Sequence, residues 1–220
     1  MKPLIITIDG PAGSGKTTVS KLLADRLGYR YIDTGALYRA VAFEAQSAGL
    51  APDDDNGLKE LCGRMRLRFV QSSGGPRLLS NGSDLTDRIR TPEISMLASA
   101  VSARSVVRQY LLEIQRHMGC PGGAVFEGRD MGTVVFPDAD VKFFLDASAE
   151  VRALRRYDEM ASNSCQSPTE VERDMKRRDK NDSTRKIAPL MPAHDAIRID
   201  SSHLTIEQVV QAMLRHVDGA

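Results

Sequence analysis

The sequence predicts an α/β fold in which a mostly parallel central sheet is flanked by helices in a three-layer sandwich. Short apolar runs alternate with helical patterns along the chain, and a glycine-rich turn lies between the first run and the first helix. At 220 residues, with 41% hydrophobic and 27% charged residues, the chain has the length and composition of one globular core with smaller excursions. We therefore expect a single domain.

The charge balance limits the classes of partner. Thirty basic and 29 acidic residues give a formal charge of +1, so no overall field attracts nucleic acid or anionic lipid, and we expect neither partner. Cys62, Cys120 and Cys165 are widely spaced, which argues against disulfides and structural zinc. The first apolar run is too short for a signal-peptide core, and no run approaches eighteen apolar residues, so we expect a cytoplasmic protein.

The regular elements follow one another as strand, turn and helix. The first strand is predicted over Leu4–Ile8, and the first helix carries apolar residues from Val19 to Leu27 and ends at Gly28. Further strands are predicted over Tyr29–Ile32, Ala124–Phe126, Val141–Leu145 and Ala196–Ile199, with helices over Ala36–Ala48, from Ala149 and from the capping box of Thr205 and Gln208. Repeated βα units indicate a parallel sheet.

Two stretches interrupt this alternation. Between Arg64 and Arg90, apolar and basic residues alternate around turn sequences, which predicts a small antiparallel insert. Thr91-Pro92-Glu93 then begins a long helix that we expect to bend near 102–105 and to run to about His117. The second stretch, residues 152–186, carries ten basic and seven acidic residues and a capping box at Ser167-Pro168, so we expect an exposed helical flap.

One motif decides the chemical class. Gly10-Pro11-Ala12-Gly13-Ser14-Gly15-Lys16-Thr17 fits the P-loop pattern G-x-x-x-x-G-K-[ST] and lies between a predicted strand and a helix, as the pattern requires. Backbone N–H groups of such a loop hold the phosphates of ATP, Lys16 reaches the β- and γ-phosphates, and the Thr17 hydroxyl binds Mg²⁺. Thr18 extends the predicted ATP site. The motif and its position predict the fold of P-loop NTPases.

Further polar motifs favour a small-molecule kinase over other P-loop classes. No N-K-x-D motif for guanine is present, and Asp146 is followed by Ala147 instead of the glutamate of ATP-driven motors. Thr34 is a predicted N-cap and Arg39 falls in the predicted first helical turn, where a cation favours a nearby anion. Arg129 and Asp130 follow a strand. Arg178, Asp182 and Arg185 have helical spacing, which on its own indicates a solvated charged face.

The chain resembles the bacterial cytidylate kinases, which phosphorylate CMP and dCMP with ATP and Mg²⁺. The resemblance covers nearly the whole chain through ITIDGPAGSGKTT, YIDTGALYRA, IRTPEIS, FEGRDMGTVVFPDADVKFFLDAS and RRDKNDSTRKIAPLMPA. It implies a P-loop core over residues 1–48, 119–151 and 187–220. It also implies an insert at about 49–118 that binds the nucleoside monophosphate, and a helical lid at about 152–186.

The resemblance also implies a role for individual residues. Thr34, Arg39 and Arg129 resemble the groups around the CMP phosphate, and Ser99, Arg108 and Asp130 those that read cytosine. Arg178, Asp182 and Arg185 resemble contacts to the sugar and phosphate of CMP. Arg155 and Arg156 resemble lid arginines that approach ATP, so the predicted catalytic residues are Lys16, Arg129, Arg155, Arg156 and Arg185.

Two alternatives stay open from the sequence. One is another P-loop kinase whose acceptor is UMP, AMP or shikimate. The other is a nucleotide-binding module that transfers no phosphoryl group. Since no heptad pattern runs along the chain, a monomer is the simpler expectation.

Overall fold

A computed structural model describes residues 3–160 and 167–219 of the chain. Residues 161–166 of the predicted lid, Cys165 among them, lie outside the described residues. Two compact units are formed, one by the described residues of Met1–Ile32 and Pro121–Ala220, the other by Asp33–Cys120. The first unit holds a parallel sheet, and the second holds a helical core with a small antiparallel sheet.

Eight strands and eight α-helices are formed within the described ranges. The strands are β1 (Ile5–Asp9), β2 (Arg30–Asp33), β3 (Leu67–Ser72), β4 (Gly75–Ser80), β5 (Ser83–Asp84), β6 (Ala124–Gly128), β7 (Val141–Asp146) and β8 (Ile197–Asp200). The helices are α1 (Lys16–Leu27), α2 (Thr34–Ser47), α3 (Asp55–Arg64), α4 (Pro92–Val101), α5 (Ser105–Gly119), α6 (Ala149–Met160), α7 (Pro168–Thr184) and α8 (Ile206–Val217). A π-helical turn, Met131–Val135, follows β6.

The sheet of the first unit has the strand order β2-β6-β1-β7-β8. β1 pairs in parallel with both β6 and β7, and β7 pairs in parallel with β8. All five residues of β6 are buried, as expected of a strand in the interior of a parallel sheet. The predicted parallel sheet with flanking helices is therefore confirmed.

The two faces of β1 have different neighbours. Ile6 and Ile8 share an apolar cluster with residues of α1 and α8, which pack against this side of the sheet. Thr7 points the other way, because side chains alternate along a strand, and it contacts the π-helical turn near Gly132. The helices α1 and α8 thus bury one face, and the segment that follows β6 covers part of the other.

The second unit contains the predicted antiparallel insert, formed by β3, β4 and β5. The long helix predicted from Thr91 is divided into α4 and α5 at the place where a bend was expected. Ser102 ends α4, and its hydroxyl donates to the Ser99 carbonyl at 2.8 Å, while Arg104 takes an extended conformation before α5. A hydroxyl that bonds to its own backbone competes with the helical pattern, which accounts for the break.

Helix ends follow the local signals. Gly28 takes the left-handed conformation after α1, and the capping boxes that begin α7 and α8 are both present. α3 was not predicted, although Asp54 caps it by accepting from the Gly57 amide at 2.9 Å. Among residues 3–160 and 167–219 no helix has both the length and the apolar character to cross a membrane.

Candidate active site

The P-loop motif forms the connection between β1 and α1, where the sequence places it. Gly10 and Gly13 have φ values of 151° and 73°. A Cβ atom at Gly10 would lie 2.0 Å from the Leu145 carbonyl oxygen, and one at Gly13 would lie 2.7 Å from the carbonyl oxygen of Arg152. Both positions therefore require glycine, and the loop turns back tightly ahead of the N-terminus of α1.

Lys16 is the first residue of α1, and its side chain is buried. Its Nζ donates to the Pro11 carbonyl at 2.5 Å and to Ser14 Oγ at 3.2 Å. Burial, followed by the positive charges of Arg129 and Arg178, lowers the pKa of Lys16 well below its usual range. A phosphate anion at this position would offset both effects, as expected of a polyphosphate site.

Thr17 contacts a carboxylate that the sequence analysis did not assign. Its Oγ1 donates to Glu127 Oε1 at 2.8 Å, and the Tyr31 hydroxyl donates to Glu127 Oε2 at 2.6 Å. Glu127 lies in β6 opposite Ile8 of β1, so the register brings it beside the loop. A hydroxyl and a carboxylate are the hard oxygen donors that Mg²⁺ prefers, and this pair fits the ion. Thr18 is exposed on α1.

Arg129 and Asp130 follow β6 and contact residues at the end of α7. Arg129 Nε lies 3.2 Å from Asp182 Oδ2, and Arg178 Nε lies 3.8 Å from the same oxygen. Asp130 Oδ1 lies 3.6 Å from Nη2 of Arg185. Asp182 is 3% exposed, so the interpretation of this face as a solvated charged surface is wrong. Arginine and aspartate side chains from the segment after β6 and from the end of α7 thus form one buried cluster.

The predicted lid arginines on α6 differ in their surroundings. Arg155 donates through Nη1 to Ser201 Oγ at 3.0 Å and through Nη2 to the Ser201 carbonyl at 2.7 Å. Ser201 Oγ in turn donates to the Ser14 carbonyl of the phosphate loop at 3.1 Å. Arg156 pairs with Glu159 at 3.1 Å on the outside of the helix, and this contact does not bring it to the loop.

Arg152 contacts the phosphate loop and was missed by the sequence analysis. Its Nη1 donates to the Ala12 carbonyl at 3.1 Å and to Asp179 Oδ2 of α7 at 2.5 Å, and its Nε donates to the Ala147 carbonyl at 3.0 Å. It precedes Arg155 by three residues, so both fall on one face of α6. This three-residue spacing was the signal in the sequence that could have identified Arg152 as part of the site, although the same spacing also fits an exposed helix.

In the second unit, the start of α2 differs from the prediction in two respects. The N-cap is Asp33, which accepts from the Ala36 amide at 3.0 Å, and Thr34 is the first helical residue. Arg39 is the sixth residue of α2 and so lies beyond the first turn, and its Nη2 pairs with Asp33 Oδ2 at 2.7 Å. Burial opposes ionisation of Asp33, but the charge of Arg39 and the Ala36 N–H bring the pKa of this carboxyl below its usual value.

Ser99 and Arg108 lie on either side of the break between α4 and α5. Ser99 is buried, and its carbonyl accepts from Ser102, whose own carbonyl accepts from Arg108 Nη1 at 3.2 Å. The guanidinium carbon of Arg108 lies 5.6 Å from the centroid of the Tyr38 ring on α2. The break in the helix thus brings these two predicted residues together within the second unit.

Comparisons with known proteins agree with these features. The family model described as cytidylate kinase matches residues 6–219. The chain is 56% identical to the cytidylate kinase of Geobacter sulfurreducens over 96% of this chain and 91% of that protein. It is 55% identical to the cytidylate kinase of Geobacter sp. strain M21 over 97% of this chain and 92% of that protein. The structure of a gluconokinase from Sinorhizobium meliloti 1021 shares the fold. The match has a TM-score of 0.50 and 16% identity and covers 98% of this chain and 94% of the gluconokinase. The chain belongs to the cytidylate kinase family.

Proposed function

We propose that the chain transfers the γ-phosphoryl group of ATP to CMP or dCMP, giving ADP and CDP or dCDP. One observation carries the proposal beyond the family resemblance. Arg129 and Arg178, both proposed for the acceptor, converge on Asp182 Oδ2 at 3.2 and 3.8 Å. After burial, their charges also lower the pKa of Lys16, so the two arginines lie close enough to influence the lysine of the phosphate loop. Donor and acceptor phosphates repel each other, and a shared group of cations is what their transfer requires.

ATP is proposed to bind along Gly10–Thr18. Backbone N–H groups of the loop and the N-terminus of α1 hold its phosphates, and Lys16 offsets the charge at the β- and γ-phosphates. Thr17 and Glu127 are the residues that would hold Mg²⁺, which when bound neutralises charge on the phosphate oxygens. Glu127 also accepts from Tyr31, which fixes the orientation of its carboxylate.

We assign nine residues to the acceptor. Arg129, Thr34 and Arg39 are assigned to the CMP phosphate, and Asp130, Ser99 and Arg108 to the cytosine. Arg178, Asp182 and Arg185 are assigned to the sugar and phosphate. The support for these assignments is the family resemblance, together with the burial of Arg108, Asp130 and Asp182. Buried polar groups select a ligand that satisfies them, which would give discrimination between bases.

In the proposed reaction, an oxygen of the CMP phosphate forms a bond to the γ-phosphorus of ATP. The bond from that phosphorus to the β,γ-bridging oxygen breaks, and ADP leaves with the electron pair. A phosphate monoester has a second pKa of about 6, so the attacking oxygen is ionised at neutral pH and we assign no general base. Arg155, Arg156 and Arg185 are proposed to offset the charge of the transferred group.

We retain the proposed division into a core, an insert at about 49–118 that binds the nucleoside monophosphate, and a lid at about 152–186. A monomer in the cytoplasm, where ATP and CMP are available, remains our proposal for the working form. Nucleic acid and membrane are not among the proposed partners, in keeping with the formal charge of +1.

The test is ADP formation from ATP and Mg²⁺ with CMP, dCMP, UMP, AMP, GMP or shikimate offered separately, beside a reaction without acceptor. We expect turnover with CMP and dCMP far above all others, and none in a Lys16→Ala variant. A preference for UMP, AMP or shikimate would assign a different acceptor. Equally slow ADP formation with every acceptor would support a nucleotide-binding module and refute the proposed transfer.

A further inference from the structure

The π-helical turn Met131–Val135 begins directly after Arg129 and Asp130, and its first amides are held by a residue from another strand. The Met131 amide donates to Asp9 Oδ1 at 2.9 Å, and the Gly132 amide donates to Asp9 Oδ2 at 2.8 Å. Asp9 is the last residue of β1 and is 4% exposed. Both oxygens of its carboxylate are therefore used to cap a turn that lies more than a hundred residues further along the chain.

The capping role would ordinarily fall to Asp130, the residue at the N-cap position of the turn. Aspartate is among the preferred N-cap residues because its carboxylate accepts from the first amides of its own helix. Asp130 makes no such hydrogen bond. Its carboxylate instead lies 3.6 Å from the Arg185 guanidinium and is almost fully buried. Since Asp9 satisfies the amides of the turn, the carboxylate of Asp130 is directed toward a different partner.

The position of Asp9 in the sheet links two motifs. In the register of β1 and β6, Asp9 lies opposite Gly128, the residue immediately before Arg129. The next residue in the chain is Gly10, which begins the phosphate loop. The backbone of Asp9 thus leads into the proposed ATP site, while its side chain fixes the segment that carries Arg129 and Asp130.

We infer that Asp9 is a positioning residue for phosphoryl transfer: by capping the π-helical turn it holds Arg129 and Asp130 in the orientation that the acceptor requires. This inference rests on the proposed function through the roles given to those two residues. Asp9 itself is not assigned a contact with either substrate.

The direct test is Asp9→Asn, which keeps the size of the side chain but presents an NH₂ group to one of the two amides. Loss of one buried hydrogen bond, with two donors left facing each other, should raise KM for CMP about tenfold and lower kcat by about as much. The Kd of a non-hydrolysable ATP analogue should stay within about threefold of the parent value, because the backbone of the phosphate loop is unchanged.

Thr7→Val is the matched control. Thr7 lies two residues earlier on β1, is buried, and contacts the same turn near Gly132, but its hydroxyl has no hydrogen-bond partner among the described residues. We expect it to behave like the parent. The inference is overturned if Asp9→Asn also behaves like the parent, or if it weakens binding of the ATP analogue as much as it raises KM for CMP.

A measurement on the parent protein decides the question if Asp9→Asn does not fold. The amides of Val134 and Val135 donate to the Asp130 carbonyl within the turn. By hydrogen exchange, the Met131 and Gly132 amides should be as protected as these two, and free exchange of the former pair would refute capping by Asp9. If the parent forms no ADP with CMP, the proposed function fails. The exchange rates of the Met131 and Gly132 amides would still show whether Asp9 caps the turn, because they do not depend on turnover.

Discussion

Arginine–aspartate pairs occur in two regions of the molecule under very different conditions. In the first unit, the side chains of Arg129 and Asp182 are 19% and 5% exposed. In the antiparallel sheet of the second unit, those of Arg77 and Asp87 are 38% and 78% exposed, at a separation of 2.8 Å. Water screens an exposed pair so that it contributes little, whereas a buried charge that loses its partner is costly. Burial, more than the distance between the charges, therefore decides how much the loss of one partner costs.

The largest effect is expected from Arg129→Ala. The variant removes a proposed contact to the acceptor phosphate and also removes one of the two arginines, Arg129 at 3.2 Å and Arg178 at 3.8 Å, that pair with the buried Asp182. We expect kcat to fall about 100- to 1,000-fold, the range found when a single charge-stabilising donor is lost. Steady-state kinetics and circular dichroism are the measurements. Turnover and affinity close to those of the parent, in a folded variant, would exclude the role assigned to Arg129.

A smaller effect is expected in the pH dependence of stability at Asp9. Burial raises the pKa of this carboxyl from 3.8 to about 6, opposed mainly by the hydrogen bonds from the Gly132 and Met131 amides. The folded state thus holds the proton more tightly than the unfolded chain does. The contribution of this bound proton to the free energy of unfolding is fully present below the usual carboxyl pKa of 3.8. It is lost as the pH rises through about 6.

Asp9→Asn does not titrate and should lack this loss. Denaturant unfolding from pH 4 to pH 7 should show its free energy of unfolding rising relative to the parent by up to about 3 kcal/mol. The exposed Asp84 is the comparison. A hydrogen bond from Arg77 lowers its pKa to about 2, so in the folded protein this carboxyl does not titrate between pH 4 and pH 7. A difference between variant and parent that stayed constant over pH 4–7 would contradict the prediction.

The next effect concerns the pair Arg152–Asp179, which joins α6 and α7, the helices of the proposed lid. A double-mutant cycle with Arg152→Met and Asp179→Asn should give a coupling energy of about 1–2 kcal/mol in unfolding. The single Arg152→Met variant should also raise KM for ATP, since Arg152 donates to the Ala12 carbonyl of the phosphate loop. Additive effects of the two substitutions would show that this pair is no stronger than a surface pair.

The smallest effect is expected on the exposed sheet. Arg77→Ala removes contacts to Asp84 and Asp87, and all three side chains are substantially exposed. We expect kcat, both KM values and the melting temperature to stay close to those of the parent, measured beside Arg129→Ala. A loss of activity comparable to that of Arg129→Ala would remove the distinction between the two regions.

Features set by neighbouring residues could be predicted from the sequence. The phosphate loop, the parallel strands and the capping boxes of α7 and α8 each depend on a few consecutive residues, and all of them form. α3 could have been predicted from Asp54 and the apolar spacing of Leu58 and Cys62. The error at Arg39 follows from the start of the helix, which was predicted at Ala36 and lies at Thr34, so Arg39 is the sixth residue of α2 instead of the fourth.

Features set by distant residues could not be predicted in this way. Arg178 and Asp182 have the spacing of an exposed helical face, and only the approach of Arg129, 53 residues away, makes that face an interior one. Thr17 and Glu127 are 110 residues apart and meet only because β1 and β6 are paired. A single sequence gives the motifs, but it does not show which of them share a buried environment.

The anchoring of α6 has a mechanical consequence. Two of its arginines bond to other parts of the first unit, Arg152 to the Ala12 carbonyl and Arg155 twice to Ser201, which itself bonds to the loop at Ser14. Lifting this helix away would break the bond from Arg152 and both bonds from Arg155 at once, at a cost of about 1 kcal/mol for each. α6 thus serves as a fixed support, and opening the proposed lid by a rigid displacement that includes α6 would carry this cost.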